Sequence, residues 1–148
     1  MVRSPVATNN LTQSRQGRVK HVHENDVAKV IVDVCFQIHT KLGPGLLETV
    51  YEAILLHELG KRGLRVSRQV PVSVVWDNVT INEGFRADLI VENLVIVEIK
   101  SVEKLAPVHS KQLLTYLRLA NKRLGILVNF SGFLLRSNIR RIVNGLPE

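Results

Sequence analysis

Cysteine occurs once in this chain of 148 residues, at position 35. A single thiol excludes an internal disulfide and any zinc site built from several cysteines. Aromatic residues are scarce, at 5%, and no apolar run approaches the ~20 residues that a membrane-spanning helix needs. The polar start lacks the apolar core of a signal peptide, so a cytoplasmic location with no membrane contact is expected. Acidic residues are missing from Leu105 to Pro147, a stretch that holds seven Lys or Arg. Arg3, Arg15, Arg18 and Lys20 likewise precede the first acid, Glu24. The net charge of +7 suits a polyanionic partner, and suits plain solubilising charge as well.

What the chain does contain is apolar residues, 45% of the total, enough at this length for one domain with a real core. Residues 1–22 (MVRSPVATNNLTQSRQGRVKHV) show no apolar periodicity and read as a flexible basic tail. From Asn25, a candidate N-cap, Val27, Val30, Ile31, Val34, Ile38 and Leu42 recur at three- and four-residue spacing. That spacing is one stripe of a helix, ended by Gly43-Pro44-Gly45. Cys35 falls on it and reads as small core filler.

A second helix is expected from Leu46 to Leu59, with Leu47, Tyr51, Ile54, Leu55 and Leu59 facing inward. Glu48 in its first turn complements the helix dipole. Strands follow: Leu64 to Trp76, with Pro71 marking an edge or a bulge, then Val79 to Glu83. Trp76 reads as a packing residue. Pro107 opens a third helix, to about Lys122, in which Gln112 and Tyr116 stand one turn apart on one face. Gly125 to Phe130 is a short buried strand, and Leu134 to Val143 reads as a closing basic helix. The order implies a mixed sheet, because a hairpin pairs antiparallel and a helical crossover gives a parallel neighbour.

The stretch FRADLIVENLVIVEIK, Phe85 to Lys100, carries the chemistry. Two apolar runs flank a Glu92-Asn93 corner, the pattern of a β-hairpin. Asp88, Glu98 and Lys100 interrupt runs that should be nearly all Val, Ile and Leu if buried. Glu98 and Lys100 share a strand face. A two-residue loop would send Asp88 to the opposite face, whereas a three-residue loop, Glu92 to Leu94, pairs Val91 with Val95 and sets Asp88 opposite Glu98. The odd-length loop is expected, since Asn tolerates the left-handed conformation it requires. Two carboxylates ~4 Å apart repel by roughly 4 kcal/mol at an effective dielectric of about 20. A lysine offsets part of this and a divalent cation far more. Few carboxylates on a rigid strand edge, with positions left for water and phosphate oxygens, suit Mg²⁺ or Mn²⁺. Ordinary cross-strand ion pairing on an exposed strand is the plainer account of the same residues.

Asp88 and Glu98-Ile99-Lys100 on successive strands, after a helix bearing Glu48, resemble the PD-(D/E)xK nuclease superfamily with its αβββαβ core, although Ala87 stands where the nominal proline would be. Gln112 to Tyr116 is similar to the Q-x-x-x-Y motif of its exonuclease-like branch. Gly45 to Tyr51 (GLLETVY) is similar to the G-x-x-E-x-x-Y pattern of the bacterial family named after it, as are Ile38-His39, Leu42-Gly43-Pro44, Gln69-Val70-Pro71 and Leu114 to Leu117. The likeness runs from about Asn25 to Val143. It implies an α/β fold with a mixed central sheet flanked by helices, an extra N-terminal helix and a C-terminal helix, in a single nuclease-like domain over 23–148.

For the site, the resemblance implies Asp88, Glu98, the Ile99 carbonyl and Glu48 as ligands of Mg²⁺ (or Mn²⁺). Lys100 would position the attacking water and Gln112 would steady the lysine or the substrate. Tyr116 would pack behind Gln112 and, with Tyr51, Arg86, Lys104 and Lys111, lie along the substrate path. The function implied is hydrolysis of phosphodiester bonds in nucleic acid, DNA favoured over RNA. The contrasting reading is a non-catalytic nucleic-acid-binding or partner-binding module that keeps the fold. A homodimer or a partner protein is the expected source of specificity, since the core is small and no separate recognition domain is obvious in the sequence.

Overall fold

The computed structural model describes residues 22–147; the expected basic tail therefore lies outside the described residues, Val22 excepted. Helix α1 (Glu24–Leu42) starts one residue before the candidate cap. His23 is the N-cap, its Nδ1 accepting from the Asn25 amide. Val27, Ile31, Val34, Cys35 and Ile38 are buried while Leu42 is exposed, because the last turn runs past the edge of the core. Burial pushes the Cys35 thiol up to about 12, so it stays protonated and acts as filler. Helix α2 (Glu48–Lys61) follows, burying Tyr51, Leu55 and Leu59 completely. No helix among the described residues is long and apolar enough to cross a membrane.

The sheet has five strands in sequential order: β1 (Val66–Trp76), β2 (Val79–Val91), β3 (Val95–Lys100), β4 (Leu124–Asn129) and β5 (Ile139–Val143). It is mixed as expected: β3 and β4 are parallel across helix α3 (Pro107–Ala120), and the other pairs are antiparallel. The two faces carry separate cores. Val95, Val97 and Ile99 of β3 pack with α1 and α2, and Ile96 packs with Leu113 and Leu117 of α3. Strand alternation therefore puts Glu98 and Lys100 on the α3 face.

The C-terminal segment departs from expectation. Leu134 to Val143 is not a helix: Leu135–Ser137 forms one 3-10 turn and Ile139–Val143 is the edge strand. Every residue of β4 is buried, so its outer backbone groups need partners inside the protein. β5 supplies them, from Leu124 opposite Val143 to Val128 opposite Ile139. Ile139 and Ile142, three apart, are half-buried and Arg140 and Arg141 between them are exposed, a spacing that does not separate a short basic strand from a helix.

Trp76 is a second correction. β2 is one continuous strand of 13 residues, longer than its partner β3, and pairs with β1 as far as Trp76 opposite Val79. The far part of the β1–β2 hairpin therefore projects past β3, and Trp76 at its tip is 74% exposed. β1 is an edge strand with a register break between Val72 and Val74, as Pro71 foretold.

Asn129, at the end of β4, is fully buried. Its Oδ1 accepts from the amides of Val102 and Ser131, and its Nδ2 donates to the Val102 carbonyl and to Asn138 Oδ1. This side chain ties the segment that follows Lys100, at Val102, to the end of β4. Asn129→Ala strands several buried polar groups and is expected to cost about 2–4 kcal/mol. Urea denaturation with and without the substitution measures it.

Candidate active site

Hairpin register decides where the acids meet. Val91 pairs with Val95, Ile90 with Ile96 and Leu89 with Val97, the three-residue loop expected from the sequence. Glu92 and Asn93 both take left-handed φ, at 53° and 54°, which an antiparallel turn matched to strand twist requires. The next residues across the strands are Asp88 and Glu98.

There the ladder stops and the carboxylates take over. The Asp88 amide donates to Glu98 Oε1 at 3.3 Å, and the Ile99 amide donates to Asp88 Oδ2 at 2.8 Å. Side-chain oxygens stand in for the main-chain carbonyls, so β3 parts from β2 at this pair while β2 continues with β1. The fork is thus built by the acids themselves, and Asp88 and Glu98 are fixed against each other on rigid backbone.

Electrostatics at the fork are unbalanced. Glu98 is only 6% exposed. Burial and then the adjacent Asp88 charge push its carboxyl up to about 8, while Lys100 pulls it down only in part. Tyr116 of α3 is raised by burial and then by the charges of Glu98 and Asp88. Its ring stacks on Phe85 with centroids 3.8 Å apart. Lys100 is half-buried at the end of β3, and Gln112 and Lys111 are exposed on α3.

Glu48 approaches from the other layer. Its Oε1 accepts from the Ser101 amide at 3.1 Å, one residue beyond Lys100. Ser101 also donates to the Leu46 carbonyl and bonds the Ser131 hydroxyl, both at 2.8 Å. A cleft of about 390 Å³ opens beside it, lined by Leu46, Leu47, Glu48, Thr49 and Ser101. Yet no three or more His, Cys, Asp or Glu side chains converge among the described residues, so the structure brings Asp88 and Glu98 together and leaves Glu48 apart. A larger groove, between α1 and β4–β5, includes Val32, Phe36, Ile126 and Ile139 and none of these residues.

Tyr51 corrects the sequence reading. It is fully buried, stacked on Phe130 at 4.4 Å, and its hydroxyl donates to the Gly43 carbonyl at 2.6 Å. It secures the turn before α2, and that burial takes it out of the substrate path. Arg86 is exposed and donates to the Gln69 carbonyl at 3.3 Å, and Lys104 is exposed on the loop after β3. Three residues escaped the sequence reading. Ser101 and Asn129 are polar hubs whose partners lie far along the chain. Glu52, one turn after Glu48 on α2, is buried and linked through Gln69 to Asp88; the four-residue spacing from Glu48 was its only signal.

Two hard oxygen donors held on rigid backbone have the donor chemistry that suits a divalent cation. Mg²⁺ in particular takes one or two carboxylates and keeps water in its other positions, and this pair fits that demand. The chain belongs to the PD-(D/E)XK nuclease superfamily, whose family model matches residues 25–142. Enzymes of that superfamily generally use divalent metals. No curated protein matches the chain. Among solved structures, that of SSO0001 is similar at 18% identity over 99% of this chain and 82% of the other, with a TM-score of 0.41.

Proposed function

We propose that this protein is a Mg²⁺- or Mn²⁺-dependent nuclease of the G-x-x-E-x-x-Y type, hydrolysing phosphodiester bonds in DNA or RNA, DNA favoured. The observation that carries the reading is the fork: two carboxylates opposed across strands that separate at that point, with a lysine two residues on. Asp88 and Glu98 would hold the cation with the Ile99 carbonyl, and Glu48, which the structure leaves apart, would have to swing from the Ser101 amide to join them. When bound, the cation supplies charge shielding of the phosphate and a lower pKa for the attacking water.

The chain's own residues do the rest. Lys100, on the same strand face as Glu98, orients the water and stabilises negative charge that grows on the phosphate oxygens. Gln112 reaches from α3 to steady that lysine or the substrate. Tyr116, stacked on Phe85, packs behind Gln112. Arg86, Lys104 and Lys111 are exposed cations placed to contact the phosphate backbone, a contact that weakens steeply with salt. A second copy or a partner protein supplies sequence discrimination.

Labelled single- and double-stranded DNA and RNA, incubated with the protein in Mn²⁺ and in EDTA, test the reading. Cleavage of at least one substrate in Mn²⁺, absent in EDTA, is expected. Salt-sensitive binding with no turnover under any metal would establish the non-catalytic binding module instead.

A further inference from the structure

Position 69 departs from the strand that contains it. Gln69 sits inside β1 with φ at 50°, the left-handed region, where a Cβ crowds the backbone and glutamine is rare. The flanking residues stay in register, Arg68 opposite Leu89 and Val70 opposite Ala87, which leaves Gln69 across from Asp88. The twist turns its side chain to a precise task. Nε2 lies 2.7 Å from Glu52 Oε1 and 3.4 Å from Asp88 Oδ1. Ionised carboxylates only accept hydrogen bonds, and an amide nitrogen carries two hydrogens, so one goes to each acid. Glu52 is 4% exposed, and its other donor, Arg68, is more distant at 3.5 Å. The Gln69 carbonyl is itself held by Arg86.

Neither Glu52 nor Gln69 has a part in the hydrolysis outlined above, yet together they keep a strained backbone and a buried charge in place. Such strain persists only where the surroundings over-determine it. We infer that Gln69, anchored by Glu52, is a positioning residue for Asp88. Its amide fixes Oδ1 while the Ile99 amide fixes Oδ2, so the carboxylate plane is set before any cation arrives. Each oxygen keeps a further lone pair for coordination. The inference rests on the nuclease reading for its consequence, but its geometry can be tested without metal.

The test uses the full chain with Gln69→Ala, Gln69→Gly and Glu52→Gln. Glycine accepts the left-handed backbone without strain, so Gln69→Gly keeps the strand even if alanine disturbs it. Glu52→Gln retains an oxygen that accepts from Gln69 and should behave close to wild type. Without metal, amide hydrogen exchange is followed by NMR. Loss of the Gln69 tether should speed exchange at Ile99 about tenfold or more while the β4 amides keep their protection.

With metal, the Mn²⁺ concentration for half-maximal cleavage should rise about 10–100-fold, the range for outer partners of metal ligands, and saturating Mn²⁺ should restore the rate. Unchanged exchange at Ile99 in both Gln69 variants would overturn the inference. So would a loss of protection spread evenly through β4, which marks a merely structural role. A wild-type protein that cleaves nothing, but whose Ile99 exchange responds as described, would remove the nuclease reading and leave the positioning role standing.

Discussion

Lys100→Ala is expected to lower Mn²⁺-dependent cleavage by about a thousandfold or more, and Glu98→Ala to abolish it, with the fold kept in both. Two losses combine in the lysine variant. The donor that stabilises charge on the phosphate disappears, and removal of one such donor typically costs about 10²–10³ in rate. The only cation among the described residues that lowers Glu98 also goes, so the neutral carboxyl gains further and metal affinity falls with it. Lys100→Arg should rescue little, because a planar fork does not replace a compact ammonium at a crowded strand end. The fold survives because Lys100 is half-buried at the end of β3 and belongs to neither apolar core. Far-UV circular dichroism and the thermal midpoint check that, and single-turnover cleavage across a Mn²⁺ series separates the lost rate from the lost affinity. Undiminished cleavage in both purified variants would exclude the fork as the site.

The meeting of the two acids was legible in the sequence because it rests on parity; the parting of the strands there was not. Side chains alternate along a strand, so once a left-handed Asn93 makes the loop odd, Asp88 must face Glu98. The element order as far as β4, the mixed sheet and the first two helices were legible for the same kind of reason, a local period repeated over many residues. What could not be read depends on partners distant in sequence. Leu134 to Val143 reads as a helix when its basic residues are weighed above its β-branched Ile139, Ile142 and Val143, and Ile139 to Val143 forms the strand that covers the edge of β4, buried throughout. Trp76 is exposed because it lies at the tip of the β1–β2 hairpin, beyond the part of β2 that β3 pairs with. Tyr51 reads as a helix residue on the face of Glu48, and only the Gly43 turn and Phe130 reveal its use. Gln69 offers no local sign of left-handed backbone; glycine or asparagine would have. Its conformation answers to Glu52 and Asp88, 17 and 19 residues away.

Glu98 makes the second large effect, on stability and on metal binding together. Its carboxyl titrates near 4.5 in an unfolded chain and at about 8 in the fold, through burial and then the Asp88 charge. Between those values the native protein holds a proton that the unfolded chain has released, so stability falls as pH rises through this window. It is greatest, as far as this group is concerned, below 4.5 and levels off above 8. The slope can reach about 1.4 kcal/mol per pH unit, and a total of roughly 2–4 kcal/mol is expected once the fork relaxes around the charge.

Glu98→Gln keeps the shape and the acceptor oxygen for the Asp88 amide while removing the titration. The variant should therefore match wild type near pH 5, exceed it by that margin at pH 8, and show no slope from this group. Urea denaturation at intervals from pH 5 to 8.5 measures both curves, and a wild-type curve parallel to that of the variant would refute the buried-acid account. Metal binding draws on the same proton. A cation must displace it from Glu98, so near pH 7 each Mn²⁺ bound should release close to one proton, and affinity should rise about tenfold per pH unit until the carboxyl is ionised. Calorimetry in two buffers of different ionisation heat reads that proton directly. Its absence would mean that Glu98 is already charged in the metal-free fold, and that Asp88 and Lys100 balance it more evenly than their placement here implies.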